Sequence, residues 1–325
     1  MKKVVIALGG NALQESGKPA TAKAQLEVIR NTSRYIVDII EEGYQVSIAH
    51  GNGPQVGRIV LQNEAANHIT PAMPFDVCGA MSQGMIGYHI QQSLRDELKA
   101  RGRNKPVVSL VTQVLVAQDD PAFYHPTKPI GPFYTKEEAE SIKREKGYEI
   151  VEDAGRGFRR VVASPNPIKI VELDTVKNLV ESDYIVVTVG GGGIPVIEKE
   201  DGKLYGVPAV IDKDLASERL AEDLDADILL ILTAVDQVAI NFGKSNQIDL
   251  DYMSVEEGYK YIDEGQFAPG SMLPKIKAAI KFAESKLGRR SIIASLSQGK
   301  EALLGNGGTV ITKERIAAYK ELIEA

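Results

Sequence analysis

Short apolar runs and longer amphipathic stretches take turns along this chain, and their alternation sets the expected fold. The run Val4-Val5-Ile6-Ala7-Leu8 reads as a buried strand. Residues 22–42 follow as a helix, with Leu26, Ile29, Ile36, Ile39 and Ile40 on one apolar stripe and Gly43 as its stop. A strand over 45–49 leads to Pro54, which sits where the first turn of a helix accepts proline. A helix over about 82–100, with Gly102 beyond its end, precedes a strand over 107–111. After residue 168 the pattern predicts a helix over 172–180, a strand over 184–189 and a hairpin over 197–206 turning at Asp201-Gly202. A helix to about 222 and a buried strand over 228–232 come next. Helices near 254–264, 274–287 and 314–324, with strands at 291–296 and 309–312, complete the series. Alternation of this kind implies an α/β protein with a largely parallel central sheet covered by helices on both faces.

Residues 119–168 break the rhythm. Six prolines (121, 126, 129, 132, 165 and 167) surround a charged helix over 136–146 and short strands at 148–152 and 158–163. A connection this long with secondary structure of its own reads as an inserted lobe, a small protruding subdomain.

Composition narrows the function by exclusion. A net charge of −6 argues against a general nucleic-acid or anionic-membrane binder, while leaving room for a local basic pocket. Cys78 is the single cysteine, which excludes an intrachain disulfide and a cysteine-based metal site. The sequence enters a strand at once, with no signal-peptide pattern and no apolar run near the roughly 18 residues of a membrane span. The expected location is therefore the cytoplasm.

Three glycine-rich turns, each after a strand, carry the chemistry. They are Gly9-Gly10-Asn11, His50-Gly51-Asn52-Gly53-Pro54 and Gly190 to Gly193. Glycine lets backbone N–H groups come close to an anion, and a helix starting beyond adds its positive end. Neither G-x-x-x-x-G-K-[ST] nor G-x-G-x-x-G occurs, so P-loop and dinucleotide folds are not supported. One such turn alone is a plain strand-to-helix connection; three together point to a crevice for phosphate. Phosphoryl transfer needs positioning and positive charge on the phosphate oxygens. Lys213-Asp214 and Lys275, after Gly270-Ser271-Met272-Leu273-Pro274, stand at expected helix starts, where a lysine opposes the helix dipole. Asp214 alone would serve as a helix N-cap and Lys275 alone as a surface charge.

Six segments in order, from residue 7 to residue 275, resemble the carbamate kinases of the amino acid kinase superfamily. They are Ala7–Leu13, His50–Gly57, His125–Pro132, Asp153–Gly157, Val210–Asp214 and Gly270–Lys275. The resemblance implies the reversible reaction ATP + carbamate ⇌ ADP + carbamoyl phosphate with Mg²⁺, commonly run towards ATP in fermentative arginine or related catabolism. It also implies an open αβα sandwich, a homodimer, and one domain over 1–325. In that domain the carbamoyl phosphate site lies within about 1–212 and the nucleotide site within about 213–325. The lobe at about 119–168 belongs to the first half.

On this reading Lys128, Lys213, Asp214 and Lys275 are catalytic. Gly9, Gly10, Asn11, Gly51, Asn52 and Gly53 bind the substrate. Lys213, Ala234, Val235, Asp236, Ile240, Asn241, Phe242, Ser271, Met272 and Lys275 bind nucleotide, although residues 234–242 read alone are ordinary core and turn. In amino-acid-phosphorylating branches of the superfamily, such as acetylglutamate kinase, a lysine precedes the glycine pair on the first strand. Ala7 takes that place here, so Lys128, framed by prolines, becomes the candidate for the missing cation, against its plain reading as a loop lysine. His50 is expected to shape its turn. His68, His89 and His125 form no metal set, which leaves Mg²⁺ to nucleotide phosphates and water. Arg156, Arg159 and Arg160 form a basic cluster that either attracts the anionic substrate or faces solvent, and Met81, Met85 and Ile86 fit either an interface or the core. The alternatives are another small-acid or nucleotide-monophosphate kinase of the superfamily, and a catalytically silent nucleotide-binding regulator.

Overall fold

The computed structural model describes residues 1–313 except Ser16 and Ala154. The helix expected at 314–324 lies outside the described residues. Strand β1 (Lys3–Leu8) is followed by α1 (Ala22–Glu41), β2 (Gln45–His50), α2 (Gly53–Ala65), α3 (Phe75–Ala100), β3 (Val107–Ser109) and β4 (Gln113–Leu115). The inserted segment holds β5 (Lys128–Tyr134), α4 (Lys136–Lys146), β6 (Ile150–Glu152) and β7 (Phe158–Val162). Then come β8 (Lys169–Ile170), α5 (Leu173–Glu181), β9 (Ile185–Val187), β10 (Ile194–Glu198), β11 (Leu204–Gly206), α6 (Lys213–Asp223) and β12 (Ile228–Thr233). The last elements are β13 (Val238–Ile240), β14 (Ile248–Leu250), β15 (Tyr252–Ser254), α7 (Val255–Asp263), α8 (Met272–Ser285), β16 (Arg290–Ser295), α9 (Gly299–Leu303) and β17 (Thr309–Thr312).

The main sheet has the order β15-β17-β16-β12-β1-β2-β9-β3. It is parallel from β3 to β16, as the alternation implies, but β17 runs antiparallel to β16. Central strand β1 is buried on both faces, which is why it reads as an unbroken apolar run. Val4, Ile6 and Leu8 pack with Ile29 and Ile36 of α1 and Ile86 and Ile90 of α3. Val5 and Ala7 pack on the other side with Leu220 of α6 and Ile276 and Ala279 of α8. Each such valine, leucine or isoleucine contributes about 1.5–3 kcal/mol when buried. Ile86 is core, Met85 is half-buried, and Met81 is exposed. Among the described residues no helix is long and apolar enough to cross a membrane.

Helix α3 starts at Phe75, about two turns before the expected boundary, because Pro74 is its N-cap and Asp76 complements its first turn. The expected hairpin forms from β10 and β11, with Gly202 at positive φ, but it belongs to a second sheet ordered β11-β10-β4-β8. In the inserted segment β5, β7 and β6 form an antiparallel sheet beside α4, whose capping box is Thr135 with Glu138. This lobe packs on α2: Ile130 and Val162 meet Val56, Ile59 and Val60. Gly57 and Gly131 let the two backbones approach so closely that a Cβ on Gly57 would overlap Gly131. At the far end of α2, Glu64 accepts hydrogen bonds from Lys146 at 2.5 Å and from the Tyr148 hydroxyl.

Candidate active site

Strand β1 pairs in parallel with β2 on one side and β12 on the other, and Leu8 lies level with both His50 and Leu232. The loops after these strands therefore open at one edge of the sheet, where connections diverge, the usual place for a ligand in an open α/β fold. A crevice of about 190 Å³ lies there. Gly10, Gly51, Asn52, Gly53, Lys128 and Lys213 line it, joined by Gly191 of the third glycine run and by Gly270 before α8. A larger hollow of about 630 Å³ beside β14, β15 and α7 is walled by Asp249, Asp251, Glu256 and Glu257 and would repel an anion.

The cations of the crevice are held by carboxylates. Asp214, 2% exposed, accepts from Lys213 through Oδ1 and from Lys275 through Oδ2 at 3.1 Å. Lys128 donates to Oδ2 of Asp212. Burial alone would raise the Asp214 pKa, but the charges of Lys213 and Lys275 overcome it and hold the carboxyl well below its ordinary range. Burial lowers Lys213, with Asp214 opposing. The cap of α6 is Asp212 rather than Asp214: Asp212 Oδ1 accepts from the Asp214 N–H at 2.8 Å, and this leaves the Asp214 side chain free to bind the lysines. On the lobe side, Asp153 accepts from Arg156 at 3.0 Å and Arg159 at 3.2 Å, and all three residues line the crevice. Arg160 is separated from them. It stacks on Tyr148, 3.5 Å from the ring centroid, and faces Glu64. Counting Lys128, Lys213, Lys275, Arg156 and Arg159 against Asp153, Asp212 and Asp214, the site carries two net positive charges.

The glycine turns divide their work. The N–H groups of Gly9 and Gly51 are already spent on Leu232 and Leu8 carbonyls in the sheet. Gly10 and Gly53 open helical turns, so neither N–H has a partner within its helix. The third turn does not lead into an α-helix. A Cβ at Gly190 or Gly191 would collide with His50 or Asn52, so this run lets the second turn pack closely as well as lining the crevice. The His50 ring is buried and donates from Nδ1 to the Gly51 carbonyl at 2.9 Å. Burial pushes its pKa down to about 4, which keeps it neutral. Asn52 donates to Ser82 at 2.8 Å, and Asn11 donates to the Thr233 carbonyl at 3.0 Å.

That last bond ties the first glycine turn to the start of segment 234–236. Ala234 and Asp236 are exposed, Val235, Ile240 and Asn241 are half-buried, and Phe242 is 70% exposed. None of these six lines the crevice. Ile240 belongs to the β13–β14 hairpin, and Asn241 has positive φ. Ser271 precedes α8 without capping it through its side chain, and its carbonyl accepts from Lys275 at 3.3 Å; Met272 packs against the core.

Reading the sequence alone left out Asp212, Asp153 and Gln55. A D-K-D run before a helix signals a cap at its first position, so Asp212 was within reach. Asp153 and Gln55 lie in the matching segments Asp153–Gly157 and His50–Gly57, but their residue types in that pattern do not mark them as site residues.

Residues 2–295 match the model of the amino acid kinase family. The chain is 57% identical to a carbamate kinase of Clostridium perfringens, over 96% of this chain and all of that one. Two solved structures of carbamate kinase from Giardia lamblia superpose on it, each 44% identical and covering 96% of this chain and 99% of the other. The one bound to citric acid has a TM-score of 0.92 and the one bound to AMP-PNP a TM-score of 0.88. By sequence and by fold, this chain belongs to the amino acid kinase family, within its carbamate kinase branch.

Proposed function

We propose that this protein is a carbamate kinase that moves a phosphoryl group reversibly between carbamoyl phosphate and ADP. The observation that carries the reading is the trio Lys213–Asp214–Lys275 at a net-positive crevice of the sheet edge that Lys213 and Lys128 line. A β-phosphate oxygen of ADP attacks the phosphorus of carbamoyl phosphate. The P–O bond to the carbamoyl group breaks, and carbamate leaves with the electron pair. No proton need move, which agrees with a neutral, buried His50. The lysines stabilise charge on the transferring phosphoryl oxygens, and Asp214 holds two of them in place. The free N–H groups of Gly10 and Gly53 offer further donors. Lys128, on the lobe, supplies the cation that Ala7 cannot.

In this reading about 1–212 holds carbamoyl phosphate, about 213–325 holds the nucleotide, and segment 234–242 with Ser271 and Met272 borders the adenosine. The crevice carboxylates Asp153, Asp212 and Asp214 are each engaged by a cation. Among the described residues no cluster of metal-ligating side chains occurs. Such a site suits Mg²⁺ that arrives on nucleotide phosphates and keeps its waters. When bound, the ion neutralises phosphate charge. A homodimer belongs to the same reading; Val77, Met81 and Tyr88 of α3 offer exposed apolar surface, and the mass in solution tests it. The activity is tested by coupled ATP formation from ADP and carbamoyl phosphate, run beside ATP with acetylglutamate, glutamate and UMP as acceptors. The reading requires the first reaction to dominate.

A further inference from the structure

Gln55, the third residue of α2, has a side chain that the fold does not account for. It is 1% exposed, it belongs to the crevice wall, and neither its Oε1 nor its Nε2 finds a hydrogen-bond partner. A buried primary amide with both ends unpaired is unfavourable, and a methionine or leucine would fill the same space without that cost. Asn52, Gly53 and Lys128 line the same crevice, so Gln55 belongs to the same wall as the groups assigned to the phosphate.

We infer that Gln55 is the residue that reads the carbamoyl group, an inference that rests on the carbamate kinase reading. The carbamoyl head presents one N–H donor and one carbonyl acceptor side by side. A primary amide is the complement of that pattern: Nε2 donates to the carbamoyl oxygen while Oε1 accepts from the carbamoyl N–H. Two parallel hydrogen bonds satisfy both orphaned atoms at once. An acyl phosphate with methyl in place of the amino group leaves Oε1 unpaired, and a site built to bond an N–H rejects a ligand that lacks it. Gln55 therefore sets specificity for carbamoyl over other acyl phosphates, while the lysines treat all of them alike.

The test compares carbamoyl phosphate with acetyl phosphate in wild type, Gln55→Met and Gln55→Glu, with ADP and Mg²⁺ saturating. Acetyl phosphate is read as a substrate or, where turnover is slow, as a competitor of carbamoyl phosphate. Gln55→Met should lower kcat/KM for carbamoyl phosphate roughly 10- to 100-fold and leave acetyl phosphate within about threefold, so that selectivity collapses. Its melting temperature should equal or exceed that of wild type. Gln55→Glu keeps the acceptor and loses the donor, and it should fall for both ligands because each is an anion. A parallel loss for both ligands, or unchanged selectivity, in Gln55→Met overturns the assignment, as does a Gln55→Glu that keeps wild-type use of carbamoyl phosphate. Wild type that makes no ATP from carbamoyl phosphate would instead refute the carbamate kinase reading itself.

Discussion

Replacing Asp214 by asparagine keeps the shape of the residue and removes the charge on which two lysines converge. Its side chain is 3% exposed, and those of Lys213 and Lys275 are 11% and 14% exposed, so none of the three can recover full hydration. Removing one partner of a buried ion pair costs about 3–5 kcal/mol, because the charge left behind stays desolvated. Here two cations are left facing each other, which places Asp214→Asn at the upper end of that range. Urea unfolding at pH 7 measures the loss. The sign of its pH dependence follows from the depressed carboxyl. The unfolded group titrates near 3.8 and the folded group lower. Its stabilisation is complete above about pH 4 and disappears as pH falls through the folded value, so the gap between wild type and variant should hold from pH 8 to about 4 and narrow below that. Turnover should fall about 100-fold or more, as for other lost charge-positioning groups. Stability within about 1 kcal/mol of wild type together with turnover within about threefold would refute the bridging role.

Lys213→Ala and Lys275→Ala should each cost about 100-fold or more in kcat, since each removes one cation from the transferring phosphoryl group; steady-state ATP formation checks this. Lys128→Ala should lower turnover and carbamoyl phosphate affinity, with ADP binding by calorimetry little changed. Weakened ADP binding with normal carbamoyl phosphate use would remove Lys128 from the acceptor side. Glu218, one turn beyond Asp214 and paired with Lys281 at 2.6 Å, is raised by burial to about 7 from 4.5. Its penalty on folding is absent below pH 4.5, grows between 4.5 and 7, and is constant above. Glu218→Gln should therefore gain on wild type by up to about 3 kcal/mol between pH 4 and pH 8, measured by urea unfolding.

Most of the sheet was legible because strands buried on both faces announce themselves as apolar runs, and α1, α4 and α6 carry clear stops or caps. The antiparallel turn of β17 against β16 was not, because pairing direction leaves no trace in periodicity. The second sheet was hidden for a related reason: β4 and β8 are too short to show a pattern, and the hairpin of β10 and β11, though legible, gives no sign of the distant strands it pairs with. At the site, helix-start lysines and glycine turns pointed to the right edge of the sheet. Glycine's role was harder to read. Gly190 and Gly191 admit His50 and Asn52, Gly57 admits Gly131, and Gly53 frees an N–H, yet all look alike as letters. Gln55 was invisible as a functional residue because its significance is an absence of partners, which appears only in three dimensions.

Phosphorus NMR of the protein with ADP, Mg²⁺ and carbamoyl phosphate follows the phosphoryl transfer itself. The carbamoyl phosphate resonance should decay with a matching rise of the γ-phosphate of ATP, and Lys213→Ala and Lys275→Ala should each slow the exchange about 100-fold or more. Decay of carbamoyl phosphate to inorganic phosphate at the buffer rate, with no ATP formed by the wild-type protein, would contradict it.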